Sequence, residues 1–281
     1  MLATSKIILA IALIVVLIVG LGIGLVSGPL LMPQSTASDP IWDNIAATGK
    51  IKIGSDPNWP PYESLDSSGK IVGFEVDLAN AIAEKLSLTA EWQSVSFDNI
   101  VSSVKDKSLD MGVSGFSITP DRLNQVSFTI PHTNTRGQAI MTQSKKDSLH
   151  ITTLNSLDEL KNLGLTVGAQ SGTTELDELT SAGVSYKSFG DYGTAIQDMM
   201  SANPSVDAVY AETPITTAWI TQYHSQGKTI VVVYDVPYYP CAFITNINAH
   251  TFTAKVDGAI ADIIQSGQMD TLKAKWNATL T

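Results

Sequence analysis

The chain has 281 residues, 17 Lys and Arg against 27 Asp and Glu, one cysteine, and a formal net charge of −10. An acidic chain with no basic run cannot draw affinity from neutralising phosphates, which excludes general nucleic-acid binding. The lone Cys241 excludes an internal disulfide, a Cys-rich zinc site, a CxxC redox pair and a lipid anchor on an N-terminal cysteine.

Lys6 is the only charged side chain before Asp39, and residues 7–26 (IILAIALIVVLIVGLGIGLV) carry no polar side chain. As a helix this run spans about 30 Å, the thickness of a bilayer core. It is longer than the apolar region of about 7–15 residues in a secretory signal. The run therefore predicts one N-terminal transmembrane helix, with a cleaved signal as the alternative. Lys6 ahead of it sets the N-terminus in the cytoplasm and the rest outside. The expected localisation is the cell membrane, single-pass with the body on the extracytoplasmic side, or secreted or periplasmic if the segment is cleaved. Residues 1–27 form this anchor or signal segment, and residues 28–44, rich in proline and small residues, form a tether.

Strand and helix signals then alternate. A strand at 50–54 ends in a turn-rich stretch, 55–61. A helix at 75–86 follows, with Val76, Leu78, Ala79, Ile82, Ala83 and Leu86 at helical spacing. Then come a strand at 91–95, a helix at 100–107 and a strand at 111–113. A second series has a helix at 157–163, a strand at 166–169, and helices at 174–182 and 194–202. A strand at 207–210, a helix at 213–226 and a β-branched strand at 229–234 complete it. Helices at 253–266 and 268–276 close the chain. This alternation predicts an α/β protein with mostly parallel sheets covered by helices.

Ligand sites in such sheets lie outside the carboxyl ends of the strands. Asp56 and Trp59 follow the first strand, Ser114-Gly115-Phe116-Ser117 the strand at 111–113, Ser171-Gly172-Thr173-Thr174 the strand at 166–169, and Glu212 the strand at 207–210. His132, His150, His224 and His250 show no metal-ligand spacing, and neither a P-loop nor a Ser-His-Asp or paired-carboxylate signature is present. No metal, cofactor or catalytic residue is expected. Cys241 reads as a buried small hydrophobe. Asn277-Ala278-Thr279 is a formal glycosylation sequon.

Several motifs in order are GSDPNWPPYE (54–63), GKIVGFEVDLANAIAEKL (69–86), SGFSITPDR (114–122), VSFTIPH (126–132), GAQSGTTE (168–175), VDAVYAETP (206–214) and GQMDTLKAKW (267–276). With this set the chain resembles the family 3 extracellular solute-binding proteins, the amino-acid-binding components of ABC importers. The resemblance implies a two-lobed, periplasmic-binding-protein-like fold of type II with a cleft between two α/β lobes. The first lobe is expected at 45–140 plus 246–281 and the second at 141–245, with crossings near 139–143 and 242–245. It implies that Arg122 holds an α-carboxylate, a role that the two-pronged guanidinium suits and lysine does not. Ser117, Thr173 and Thr174 would add donors, the last from a helix N-terminus. Gly115, Ser114 and Glu212 would accept from the ammonium. The family usually has Asp where Glu212 stands. Trp59 and Phe97 would flank the ligand side chain, and Asp56 and Glu175 would set its selectivity toward an amide or cationic group.

The function implied is that of a monomeric binding protein, not an enzyme, which captures a polar amino acid by lobe closure and delivers it to an ABC permease. Two alternatives remain open at this point: a cyclohexadienyl or arogenate dehydratase-like enzyme on the same fold, with Glu212 as general acid, and a ligand-sensing module for a membrane partner.

Overall fold

The computed structural model describes residues 39–236 and 239–278 of the chain. Among these residues no helix is long and apolar enough to cross a membrane. The predicted span at 7–26 lies outside the described residues.

Two five-stranded sheets organise the molecule. In spatial order the first holds Thr89–Ser94, Lys50–Ser55, Met111–Gly112, Ile244–Asn246 and Val126–Phe128. The second holds Ser185–Phe189, Thr166–Gln170, Ala208–Glu212, Gly137–Thr142 and Ile230–Asp235. We call the α/β unit around each sheet the first and second lobe. Strands joined by a helix pair in parallel, as the βα alternation predicts. Each sheet also takes in one antiparallel strand where the chain arrives from the other. Ile244–Asn246 does so in the first sheet and Gly137–Thr142 in the second.

The helix Phe74–Lys85 buries Val76, Leu78, Ala79, Ile82 and Ala83, the stripe read from the sequence. The two last helices, His250–Gln265 and Gln268–Trp276, return to pack on it. The first lobe is thus closed by both ends of the described chain.

Two local readings need correction. The expected tether at 28–44 overlaps a helix, Pro40–Thr48. Its Asp39-Pro40 start, read as the end of a linker, is an N-cap followed by a proline in the first turn, where the missing N–H costs nothing. Asp39 Oδ1 accepts from the Ile41 and Trp42 amides, and Oδ2 accepts from Thr251 N at 2.7 Å. The cap therefore also ties this helix to the start of His250–Gln265. The expected crossings at 139–143 and 242–245 fall on strands that already pair inside a sheet. Between the sheets in chain order lies instead an antiparallel ladder of Thr133–Thr135 with Tyr239–Cys241. Cys241 on that ladder is buried and free.

Candidate functional site

The carboxyl ends of both sheets face one narrow cavity of about 20 Å³. From the first lobe it is lined by Asp56, Trp59, Phe97, Ser114, Gly115, Ser117 and Arg122. From the second it is lined by Thr173, Thr174, Glu175 and Glu212. All eleven residues singled out in the sequence meet there. Three further lining residues, Asn58, Gln170 and Tyr192, were missed.

Arg122 sits in the one-turn helix Pro120–Leu123, capped by Thr119, whose hydroxyl accepts from the Arg122 amide. Its guanidinium is buried, with Cζ 5.5 Å from the ring centres of both Phe97 and Phe116. Nη1 donates to Ser117 O at 2.9 Å, and Nη2 crosses to the second lobe to donate to Gly172 O at 3.0 Å. Burial pulls its pKa below the ordinary value, while Glu212 and Glu175 oppose this; an arginine stays charged. Phe97 stacks on Phe116 at 4.8 Å. It thus serves the guanidinium as well as the cavity wall.

Trp59 stands opposite, tilted against Tyr62 at 4.3 Å, with its buried Nε1 lacking a hydrogen-bond partner among the described residues. Gly115 must be glycine. Its φ is +58° and a Cβ there would lie 2.5 Å from the Trp59 ring. The Gly115 amide donates to Glu75 Oε2 at 3.0 Å, and the other oxygen of Glu75 lies 2.7 Å from His132 Nε2. Burial alone would raise Glu75, but His132 and the hydrogen bond from the Gly115 amide help bring it below its ordinary value. Glu63, also buried, is pushed well above the carboxylate range, first by burial and then by Glu75. His132, noted in the sequence only for lacking metal-ligand spacing, belongs to this buried support.

On the second lobe the helix Thr174–Ala182 points its N-terminus at the cavity. Thr173 is its N-cap, accepting from Leu176 N and donating to Gln170 O. Glu175 is 3% exposed and its Oε2 accepts from the Thr174 hydroxyl and from Tyr192 OH, each at 3.1 Å. Burial, with Glu178 behind it, pushes its carboxyl up to about 7. Glu212, the N-cap of the helix Thr213–Ser225, is pushed well above the carboxylate range by burial and by Glu175, against the pull of Arg122 and the Ser117 hydroxyl.

Asp56 lines the cavity with both carboxylate oxygens already bonded to protein groups. Its Oδ1 accepts from Asn58 Nδ2 at 2.6 Å and its Oδ2 from Gln170 Nε2, across the cleft, at 2.7 Å. Gln170 ends the strand Thr166–Gln170, so the strand-end rule would have found it had that strand been read one residue longer. Tyr192 follows the strand Ser185–Phe189, which has no clear sequence signal.

Residues 51–279 match the family described as bacterial extracellular solute-binding proteins, family 3. The chain belongs to that family. Among its relatives, ABC transporter arginine-binding protein 1 of Escherichia coli is 28% identical over 235 residues, covering 82% of this chain and 92% of that protein. The arginine-binding periplasmic protein of Mannheimia haemolytica is 26% identical, covering 83% and 93%. An ancestral arginine-binding protein solved with arginine bound matches with a TM-score of 0.72 at 27% identity, covering 81% of this chain and 98% of that one. These relatives are binding proteins. Their likeness gives the cavity of this solute-binding protein its context: an α/β body with a buried guanidinium at the carboxyl ends of its strands.

Proposed function

We propose that this solute-binding protein captures a polar amino acid with an amide or cationic side chain, closes its lobes on it, and delivers it to an ABC permease. One observation carries the reading. A buried cation, a helix N-terminus and an acid line the same cavity and come from opposite lobes. That set complements the carboxylate and ammonium of an amino acid. Arg122, with the Ser117 and Thr174 amides, takes the α-carboxylate. Glu212, with Gly115 O and Ser114, takes the ammonium. Trp59 and Phe97 flank the side chain. Ligand contacts reach both lobes only when they are closed, so the amino acid shifts the population toward closure. The lobes proposed are the units around the two sheets, and the names of the relatives favour a cationic ligand. A thermal-shift screen of the twenty amino acids on the full-length chain in detergent identifies the ligand, because binding to the folded state raises its stability. Calorimetry then tests the assignment: Arg122→Ala abolishes binding, and an unchanged affinity would refute it.

We also infer that residues 7–26 hold the protein at the membrane. Detergent, but not high salt, releases it from cell membranes, and deletion of that run makes it soluble. The enzyme reading is favoured by the burial of the Glu212 carboxyl in the cavity, which raises its proton affinity as a general acid needs. Turnover of prephenate or arogenate, lost in Glu212→Gln, would establish it. Tight amino-acid binding without turnover decides for the binding protein.

A further inference from the structure

The two five-stranded sheets have four outer edges, and three of them are protected against pairing with another chain. The edge Thr89–Ser94 carries Glu91, and the edge Ser185–Phe189 carries Lys187 at its centre. The edge Ile230–Asp235 is interrupted by a bulge between Val232 and Tyr234, and Leu154 N covers it by donating to Val233 O at 2.7 Å. The fourth edge, Val126–Phe128, carries no charge, proline or bulge. In its sheet it pairs on one side only, with Ile244–Asn246. Exposed apolar side chains gather around it. Leu123 and Ile130 flank it in the chain, and Ile247 follows its neighbour strand. These are three of the seven large apolar side chains exposed among the described residues, so the apolar surface is concentrated here. Leu123, Phe128 and Ile247 line one groove beside the strand. An unprotected strand edge with an apolar border is a template for a further strand.

We propose that this edge joins two copies of the chain, strand to antiparallel strand, about a two-fold axis at Ser127. The strand's own sequence selects a second copy as the partner. Paired with itself over all three residues, it sets Ser127 against Ser127 and, twice, Val126 against Phe128. Hydroxyl with hydroxyl and aromatic with β-branched are favourable cross-strand pairs, and no like charges meet. The same operation on Ser185–Phe189 would set Lys187 against Lys187, an unfavourable pair. Val126 belongs to an apolar cluster of the first lobe, and Phe128 packs against it, so pairing joins two such clusters across the axis. None of the three residues lines the cavity, so both cavities keep their walls. The dimer departs from the single copy that the resemblance implies. Its strands are short, which sets the expected dissociation constant in the micromolar range.

Two measurements on the full-length chain in detergent test this. In the first, sedimentation at about 100 μM, well above the expected dissociation constant, reads the oligomeric state. The parent should run as a dimer. Ser127→Lys and Ser127→Glu each set like charges together on the axis, so each should run as a single copy. Their equimolar mixture should restore the dimer, which also shows that both variants fold. In the second, Ser127→Cys is oxidised mildly. Directly opposed residues of antiparallel strands have Cα atoms about 4.5–5.5 Å apart, within reach of a disulfide. A covalent dimer that a reducing agent dissolves should form. The parent, whose Cys241 is buried, should form none, and Ser188→Cys on the Lys187 edge should form far less. The proposal is overturned by a Ser127→Cys chain that forms no covalent dimer, or by Ser188→Cys forming as much. It is also overturned by a dimer that persists in Ser127→Lys, or by a mixture of the charged variants that stays as single copies. Neither measurement depends on which ligand the cavity takes.

Discussion

The two walls of the cavity solve the problem of buried charge in opposite ways. On the first lobe Asp56 is held by two amides, and Glu75 by His132 and the Gly115 amide. On the second lobe Glu175 and Glu212 are buried, Glu178 raising the first and Glu175 the second, with Arg122 reaching them from across the cleft. The first wall is finished before a ligand binds, and the second is left short of positive charge. Recognition geometry therefore belongs to the first wall, and the free energy released by a cation belongs to the second.

The largest expected effect lies where the walls meet. Arg122→Ala should weaken binding at least about 100-fold, and Arg122→Lys should not restore it, because the single nitrogen of lysine cannot occupy the two separate positions from which Nη1 and Nη2 bond Ser117 O and Gly172 O and still meet a carboxylate with two prongs. A lysine variant of near-parent affinity in calorimetry would mean that only charge matters. Next come two acids with opposite outcomes. Glu75→Ala leaves His132 and Gly115 without their buried partner and should cost about 3 kcal/mol of stability in urea unfolding. Glu212→Gln removes a buried acid that repels Glu175, so it should leave the ligand-free protein as stable or more stable above pH 7 while weakening amino-acid binding. Equal destabilisation by both variants would erase the distinction between the walls.

The same distinction has a pH signature. Glu175 faces Glu178 on its own helix, Tyr192 beside it, Glu212 on the same wall and Arg122 across the cavity. Its folded pKa of about 7 lies above the ordinary value of 4.5, so the folded state binds more protons between them. That contribution is complete below pH 4.5 and is lost as pH rises through 7. The ligand-free protein should lose about 1–3 kcal/mol from this source between pH 5 and pH 8. Glu175→Gln should flatten the loss, and so should a saturating cationic amino acid, which favours the ionised carboxylate. A variant with the parent's full pH slope, measured by urea unfolding across that range, would place the titration elsewhere.

Much of the first wall was legible in the sequence because its residues follow strands with clear apolar signals. Asp56, Ser114, Gly115 and Ser117 were found that way, and Arg122 by its motif. The second wall was only half legible. Thr173, Thr174 and Glu175 sit after a readable glycine turn, but Tyr192 depends on the strand Ser185–Phe189, whose first four residues are exposed and polar enough to hide it. Gln170 lies one residue past the strand end as read from the sequence, and no local pattern reports its bond to Asp56, 114 residues away. Asn58 sits two residues from Asp56 in a turn-rich stretch, where nothing marks its side chain as the one that holds the carboxylate. The ladder of Thr133–Thr135 with Tyr239–Cys241 was missed on the same ground, since short strands between lobes have neither the length nor the alternation that marks a sheet strand.

The smallest effect is expected at the far end of the first sheet. Lys50 and Glu91 lie on paired strands whose carboxyl ends, several residues later, reach the cavity. Both side chains are largely in water, so their attraction is screened and is partly offset by the entropy of fixing two long side chains. Glu91→Ala should change stability by no more than about 0.5 kcal/mol, less at high salt, and should leave ligand affinity and the pH slope as they were. The variant shares a lobe and a sheet with Asp56, Ser114 and Gly115 but none of their buried bonds. A change in affinity above about 3-fold, larger than an exposed pair can supply, would mean that the first wall answers to charge at a distance. Its finished appearance would then be a property of the whole sheet and not of the bonds at its carboxyl edge.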